Sequence, residues 1–327
     1  MTLSDDFIIE GSVLKKYNGE SAEIVIPDGV TEIGDMAFFD LHFIKSVILP
    51  DTVTVIDDLA FARCSKLEKI RFSDKLSSIG KFAFDKCVSL ERIDLPKSLA
   101  ALKRCAFDDC TSLLTVNGAD ALTYIGEGAF SGCLKLSRFF VPRSVSEIGK
   151  DAFVECSSLS EFAVDERNSS YSSKDGVLYN KDMSALVAYP ALKSDADFVI
   201  PETVKRIHPF AFYGNKNLRS VTLPDALTEI SEGAFGNCEN LESIVIPDTL
   251  TAVKEEAFIN SRNLKTVFYK GNTEDFRVIK RDADSDEYIY GDFGYDVYAV
   301  EGKISIDDGN YPLVEAEWHY LGEASQS

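Results

Sequence analysis

Hydrophobic and polar positions follow a pattern of 23 residues along most of the chain. An Ala-Phe pair marks each repeat, and its phenylalanines form two evenly spaced series: Phe38, Phe61, Phe84, Phe107, Phe130 and Phe153, then Phe212, Phe235 and Phe258. A period of this length is typical of a solenoid, in which each coil buries its apolar side only against its neighbours. The sequence therefore predicts nine stacked coils, spanning 27–164 and 201–269.

The second coil, residues 50–72, shows which elements the pattern predicts. Its apolar residues first recur with a helical spacing, at Ala60, Phe61, Cys64 and Leu67. Ile70 and Phe72 then alternate with polar residues, which indicates a half-buried strand. Val53 to Ile56 form a second short extended segment in the prediction. Each coil is thus expected to contain a strand, a corner, a short extended segment and a short helix.

The spacing of Leu67, Ile70 and Phe72 is also the L-x-x-L-x-L core of leucine-rich repeats. The whole coil, with its Pro, Ile-Gly, Ala-Phe and Cys positions, resembles the BspA-type leucine-rich repeat family of bacterial proteins. The resemblance implies an α/β solenoid, a right-handed superhelix with a parallel sheet on the concave face and with hairpin caps. We expect ladder strands at Ile70–Phe72, Ile93–Leu95 and Ile244–Ile246, with an exception in coil four, where Asn117 and Gly118 replace the final apolar residue.

The segments outside the coils suggest a division of the chain into five parts. The predicted parts are an N-terminal hairpin cap at 1–26, six repeats at 27–164, a hairpin insertion at 165–200, three repeats at 201–269 and a C-terminal cap at 270–327. Asn18-Gly19 is the turn signal of the first hairpin. In the insertion, Val177–Tyr179 is expected to pair with Leu186–Tyr189. The insertion is interpreted as a brace, with a dedicated binding element as the alternative.

The formal charge of −20 excludes some classes of partner. Such a charge repels phosphate backbones and anionic lipid surfaces, so we expect no nucleic-acid partner and no membrane insertion. We expect a monomer, because an acidic surface keeps a long solenoid soluble and unaggregated. The start at Met1 lacks the features of a signal peptide, which predicts a cytoplasmic protein if Met1 is the native start. The family resemblance instead implies a protein that is secreted or exposed on the cell surface.

Six of the seven cysteines occupy one position of the repeat: Cys64, Cys87, Cys110, Cys133, Cys156 and Cys238. Leu41 takes this position in the first coil, which indicates a packing role for a small buried hydrophobe. The spacing matches no zinc motif, so we expect reduced structural thiols, no metal and no cofactor. Cys133→Ser is expected to cost about 1–3 kcal/mol, because its hydroxyl would be buried without a good partner.

Candidate catalytic residues are few. His42 and His208 occupy different repeat positions in distant coils and His319 lies in the tail, so no two of them are expected to converge with a Ser or Cys nucleophile. The acidic segment Asp282–Glu287 lacks the glycine and the closing glutamate of a calcium loop and is interpreted as a solvated turn. The sequence therefore predicts a protein without catalytic activity.

Two kinds of function remain. The first is a protein-interaction or adhesion scaffold that binds a macromolecule on the concave face; the resemblance implies adhesion, including binding to host matrix proteins. The second is a carbohydrate-binding or cell-surface module that uses the insertion or the aromatic tail.

Side chains alternate along a strand, so the residues between the buried positions of the ladder must point outward. Arginine and aromatic residues are frequent in interface hot spots. The candidate partner-binding residues are therefore Arg71, Arg92, Asp94, Arg138 and Phe140.

Overall fold

The structure is a computed structural model and describes residues 6–270, 296–300, 303–307 and 314–320. The chain forms two compact units, which we call unit 1 (Met1–Gly176) and unit 2 (Val177–Ser327).

Unit 1 begins with a hairpin and continues as stacked coils that each contribute two parallel strands. The antiparallel hairpin strands are β1 (Phe7–Glu10) and β2 (Val13–Tyr17). Each coil has one longer strand, which we call a ladder strand. The ladder strands of unit 1 are β3 (Glu23–Val25), β5 (Ser46–Ile48), β7 (Lys69–Arg71), β9 (Arg92–Leu95), β11 (Thr115–Gly118), β13 (Arg138–Val141) and β15 (Glu161–Val164). The short strands are β4 (Glu32–Ile33), β6 (Val55–Ile56), β8 (Ser78–Ile79), β10 (Ala101–Leu102), β12 (Tyr124–Ile125) and β14 (Glu147–Ile148), and β16 (Tyr171–Lys174) closes the unit.

The pairing register of unit 1 equals the repeat length. Ile33 lies beside Ile56 in the short-strand sheet, and Val47 lies beside Ile70 in the ladder sheet. Residues that are 23 apart in sequence are therefore neighbours in space. The buried leucine, isoleucine and valine side chains of both sheets fill the core between them. This confirms a solenoid of stacked parallel-strand coils.

Unit 2 repeats the same architecture on a smaller scale. Its hairpin consists of β17 (Val177–Asn180) and β18 (Ala185–Ala188), as the sequence predicted. Its ladder strands are β19 (Asp197–Val199), β21 (Ser220–Thr222), β23 (Ser243–Ile246) and β25 (Thr266–Tyr269). Its short strands are β20 (Arg206–Ile207), β22 (Glu229–Ile230) and β24 (Ala252–Val253).

The tail adds three strands to the ladder sheet of unit 2: β26 (Asp296–Val300), β27 (Lys303–Asp307) and β28 (Val314–Tyr320). β26 and β27 form an antiparallel pair, and β28 runs parallel to β25 with Trp318 beside Val267. The acidic segment Asp282–Glu287 lies outside the described residues. The part of the chain that the structure describes contains no apolar helix of the length that a membrane crossing requires.

The short helix predicted in each coil is wrong. Residues 6–270 contain no helix, and the Ala-Phe segments form successive turns instead. In the second coil, Leu59, Phe61 and Arg63 each donate their backbone N–H to a carbonyl of the next coil, at 2.8, 2.8 and 2.6 Å. Leu59 and Arg63 have φ angles of 56° and 62°. Because these residues have left-handed φ angles, every second N–H group of the segment points along the stack toward the next coil. The i to i−4 hydrogen bonds of a helix therefore cannot form.

The left-handed residues give a test of this correction at Glu155, which is exposed and has a φ of 61°. We expect the glycine variant Glu155→Gly to be more stable than Glu155→Ala by about 1 kcal/mol, because only alanine is strained at a positive φ. A helix would reverse the order, since glycine costs about 1 kcal/mol relative to alanine in a helix interior. Urea unfolding followed by circular dichroism measures the difference, and a more stable alanine variant would contradict the turn geometry.

The phenylalanines of the Ala-Phe pairs form one continuous stack in each unit. In unit 1 the rings from Phe38 to Phe153 are nearly parallel, with neighbouring centroids 4.8–5.8 Å apart. The hairpins extend both stacks: Tyr17 lies on Phe38 at 5.5 Å, and Tyr189 lies on Phe212 at 4.8 Å. Each hairpin therefore places an aromatic side chain where a preceding coil would have placed its phenylalanine.

The first hairpin differs from its prediction in one respect. Asn18-Gly19 does not form its turn, because β1 and β2 are joined at Gly11-Ser12. Gly11 has a φ of 62°, which suits a tight turn. Asn18 instead donates its backbone N–H to Asp6 at 2.7 Å, where the chain leaves β2.

The ladder sheet of unit 1 is interrupted in coil four, as the sequence suggested. β11 pairs with β9, and β13 pairs with β15, but β11 and β13 are not joined. A second interruption separates β7 from β9, so the prediction covered only one of the two. Gly118 ends β11 with a φ of 83°.

The cysteine position is more than a packing position. The thiol groups of the six cysteines lie 3.1–3.3 Å from the carbonyl of a phenylalanine in the preceding coil, to which they can donate. Ser261 takes the same position and donates to Phe235 at 2.6 Å. The six are buried and free, and burial raises the pKa of Cys64, Cys156 and Cys238 to about 12. The position therefore favours a small side chain that can donate a hydrogen bond.

This geometry revises the expectation for Cys133. The hydroxyl of Cys133→Ser can donate to the carbonyl of Phe107, as Ser261 does to Phe235, so it is not left without a partner. We now expect Cys133→Ser to cost about 1 kcal/mol and to be more stable than Cys133→Ala, which leaves that carbonyl unpaired. Thermal unfolding of both variants checks the order. A more stable alanine variant would show that the position requires only a small side chain and not a hydrogen-bond donor.

Candidate interaction surface on the ladder sheet

The candidate residues of the sequence analysis lie on three ladder strands of unit 1: Arg71 on β7, Arg92 and Asp94 on β9, and Arg138 and Phe140 on β13. All five are exposed, because they alternate with buried neighbours such as Ile93 and Phe139. Phe140 exposes 52% of its surface, which is unusual for an aromatic residue in the middle of a sheet. We call this side of the sheet the ladder face.

Most of the charge on the ladder face is paired within the chain. Arg92 lies 3.4 Å from Asp94, which also accepts a hydrogen bond from Asn117 at 2.7 Å. Arg138 forms an ion pair with Glu161 of the next strand. Exposed pairs of this kind contribute about 0–1 kcal/mol to stability. Their main effect is to make the ladder face around Phe140 nearly neutral.

Three cations of the ladder face remain without an ion pair among the described side chains. Lys45 precedes β5, and Lys69 and Arg71 lie on β7, and all three are exposed. Ile48, which is 39% exposed, lies beside Arg71 in the register of the sheet. The exposed carboxylates beside them are Glu23 on β3 and Glu68 before β7, so this end of the ladder face, which we call the basic end, keeps a small excess of positive charge in a protein whose net charge is −20.

A cavity of about 250 Å3 opens on the ladder face where β11 and β13 separate. It is lined mainly by apolar residues: Leu95, Val116, Gly118, Leu122, Phe139 and Phe140. Leu95 and Val141 fill the final strand position in the neighbouring coils, and Gly118 leaves that position empty in coil four. A Cβ at Gly118 would lie 2.0 Å from the carbonyl oxygen of Leu95, so the backbone itself excludes a side chain here.

This cavity was not predicted from the sequence. Gly118 was recognised as an irregular strand residue, but the separation of β11 from β13 depends on how the coils stack. The signal in the sequence is the glycine at a position that is apolar in the coils on either side. Val116 shows the consequence, because it is only half-buried whereas its equivalents Ile93 and Phe139 are buried.

One histidine, His42, has an aspartate and a serine as neighbours. His42 Nε2 lies 3.3 Å from Asp40 Oδ1, and His42 Nδ1 lies 3.1 Å from Ser65 Oγ. Ser65 follows His42 by 23 residues, the register of neighbouring coils. The imidazole is 59% exposed, and the described cavity on the ladder face does not include any of the three residues. The cluster is therefore an exposed contact between neighbouring coils.

Three carboxylates also cluster on the turns of coils three and four. Oxygens of Asp85, Asp108 and Asp109 lie within 4.8 Å of one another, and burial raises the pKa of Asp85 and of Asp108. Lys86 Nζ lies 3.7 Å from Asp85 and 3.5 Å from Asp109. The half-exposed ammonium group of Lys86 therefore offsets part of the negative charge of the three carboxylates.

Comparison with known proteins identifies the architecture. The model of the BspA type leucine rich repeat region, with six copies, matches residues 14–103, 77–194 and 187–280. No curated protein sequence is significantly similar to the chain.

Several solved structures share the fold. The pneumococcal vaccine antigen PcpA is 24% identical with a TM-score of 0.71, over 83% of this chain and 81% of that chain. A leucine rich cell surface protein from Faecalibacterium prausnitzii is 26% identical with a TM-score of 0.60, over 85% of this chain and 96% of that chain. A leucine-rich repeat protein from Bacteroides ovatus is 24% identical with a TM-score of 0.54, over 82% of this chain and 74% of that chain. Because the family model matches the repeats along residues 14–280, the chain belongs to the BspA-type leucine-rich repeat family.

Proposed function

We propose that the chain is a non-catalytic scaffold whose ladder face in unit 1 binds an extended segment of a partner protein. The observation that carries the proposal is the exposed Phe140 beside an open apolar cavity. A soluble protein seldom exposes an aromatic side chain next to unfilled apolar space unless the surface has a binding role.

The charge distribution supports a protein partner. The ion pairs of Arg92 and Arg138 leave the centre of the ladder face neutral, and Lys45, Lys69 and Arg71 make one end basic. A neutral apolar centre with a charged margin is the usual anatomy of a protein interface. The aromatic side chains of the tail, on which the carbohydrate-binding alternative depends, lie outside the described part of the structure.

We further propose that the protein acts at the cell surface, in adhesion. The protein from Faecalibacterium prausnitzii is described as a cell surface protein, and PcpA is described as a vaccine antigen. Antibody labelling of intact and permeabilised cells tests the location, because a cytoplasmic protein would be labelled only after permeabilisation.

The site is tested by reversing the two arginines that flank the cavity. A library of displayed protein fragments is selected on the purified full chain, and each binder is then measured on the double variant Arg92→Glu, Arg138→Glu. We expect the affinity to fall at least tenfold, because two new carboxylates would lie beside the binding surface. The melting temperature should change little, since both side chains are exposed.

The matched control is the double variant Lys16→Glu, Lys81→Glu, which makes the same charge change on the short-strand side of unit 1. Lys16 lies on β2 and Lys81 follows β8, and both are exposed. The control should bind as the wild type does. Equal losses in the two variants would mean that only net charge matters, and unchanged affinity in the first would exclude the ladder face.

A further inference from the structure

We infer that the cavity at Gly118 receives one bulky apolar side chain of the partner, and that an acidic residue of the same segment lies against Lys69 and Arg71. The inference rests on the proposed function and names the chemistry of its ligand. It commits to an extended segment of a partner protein as the occupant.

The volume and lining of the cavity define the first determinant. An apolar cavity of ~150 Å3 in a protein core accepts a benzene molecule, so the space of about 250 Å3 beside Gly118 is sufficient for a leucine or phenylalanine side chain. Leu95, Leu122 and Phe139 form an apolar wall and are nearly fully buried. An entering apolar side chain would regain the dispersion contacts that the missing side chain of coil four leaves unmade.

The electrostatics define what cannot enter. Asp94 is held by Arg92 and Asn117, and Glu161 is held by Arg138, so no unpaired charge of these groups faces the cavity. A charged ligand group would lose its hydration without gaining a partner, which is costly. The side chain that enters is therefore uncharged.

The second determinant follows from the basic end of the ladder face. Lys69 and Arg71 carry no ion pair among the described side chains, and a carboxylate is the group that complements them. Arg71 on β7 and the cavity between β11 and β13 are two to three strands apart, or about 12 Å at ~4.8 Å per strand. An extended chain covers that distance in about four residues at ~3.3 Å per residue. The predicted ligand thus has an acidic residue about four positions from a bulky apolar one.

The test uses a phage-displayed library of random dodecapeptides, selected on the immobilised full chain. We expect enriched peptides to combine Leu, Phe, Ile or Met with Asp or Glu about four positions away. Val116→Phe fills the cavity from its own wall and should weaken these peptides at least tenfold. Arg71→Gln should weaken them about threefold. Val199→Phe, which makes the same change at an exposed valine of β19 in unit 2, outside the proposed surface of unit 1, should bind as the wild type does.

Two further comparisons distinguish a failure of the proposed cavity from a failure of the proposed ladder face. Phe140→Ala changes an exposed residue at the mouth of the cavity and should reduce affinity at least fivefold even if Val116→Phe does not fold. Peptides that keep their affinity for Val116→Phe and Phe140→Ala, but lose it with Arg92→Glu, Arg138→Glu, would refute the cavity and leave the ladder face in place. Peptides that respond to none of these variants, or a selection without enrichment, would refute both the cavity and the ladder face.

Discussion

Replacement of Phe84 by alanine is expected to lower the free energy of unfolding of unit 1 by about 3–5 kcal/mol. Phe84 is fully buried, and its ring stacks between Phe61 at 5.2 Å and Phe107 at 5.0 Å. Phe72 also contacts it edge-on at 5.9 Å. The substitution therefore removes a large apolar side chain from the middle of the stack and leaves a cavity between two coils.

The repeat architecture makes this loss larger than the side chain alone suggests. Each coil contacts only its neighbours, so a gap at Phe84 weakens both interfaces of coil three. The backbone bonds between coils cannot compensate, because the N–H of Phe84 already bonds to Ala106 at 2.9 Å. Local opening at the centre of the stack would therefore become easier in the variant.

Hydrogen exchange followed by mass spectrometry measures the effect within unit 1, and urea unfolding gives the total change. Phe140→Ala is the control, since this exposed ring lies outside the stack and its loss should cost less than about 0.5 kcal/mol. A loss below 1 kcal/mol for Phe84→Ala would mean that the stack of rings does not hold the coils together.

Much of the fold could be predicted because the coils repeat the same two sheets. Ile93 is buried and Asp94 is exposed, as strand alternation requires, and the same holds for Phe139 and Phe140. The helical interpretation failed because Ala60, Phe61 and their partners have a helical spacing for another reason. The N–H groups of Leu59, Phe61 and Arg63 bond to the next coil, and no pattern within one coil shows that.

The candidate surface was predicted only in part. Exposure of Arg71 and Phe140 follows from strand alternation, but the pairing of Arg138 with Glu161 depends on the register between coils. That register was present in the sequence as the 23-residue period, which also brings Ser65 to His42. The cavity was not predictable in this way, because it arises where the regular register breaks down beside Gly118.

The second large effect is expected at Asn168, where replacement by alanine should lower the stability of unit 1 by about 3–5 kcal/mol. Asn168 is 1% exposed, and its amide donates to the carbonyls of Pro142 and Val145 at 2.7 and 2.9 Å. Its carbonyl oxygen accepts from the N–H groups of Ser170 and Tyr171 at 2.8 and 2.7 Å. Alanine would leave the carbonyl of Val145 and the N–H of Tyr171 without partners, at about 1–3 kcal/mol each before relaxation and entry of water. It would also remove a partner from the half-buried Ser170 and from Pro142, whose carbonyl keeps the N–H of Val145 at 3.2 Å.

These bonds also hold the end of the coil stack in unit 1. Tyr171 follows directly from the turn that Asn168 organises, and its hydroxyl accepts the N–H of Ile148 at 2.9 Å where the short-strand ladder ends. Loss of Asn168 should therefore release Tyr171 and expose the last coil, which hydrogen exchange at Ile148 would detect.

Asn18→Ala is the control, because Asn18 is exposed and should change stability by less than about 0.5 kcal/mol. Asn168→Asp should be no more stable than Asn168→Ala, because it keeps the acceptor but buries a carboxylate oxygen against the carbonyls of Pro142 and Val145. A variant Asn168→Ala as stable as Asn18→Ala would show that water replaces the amide without loss.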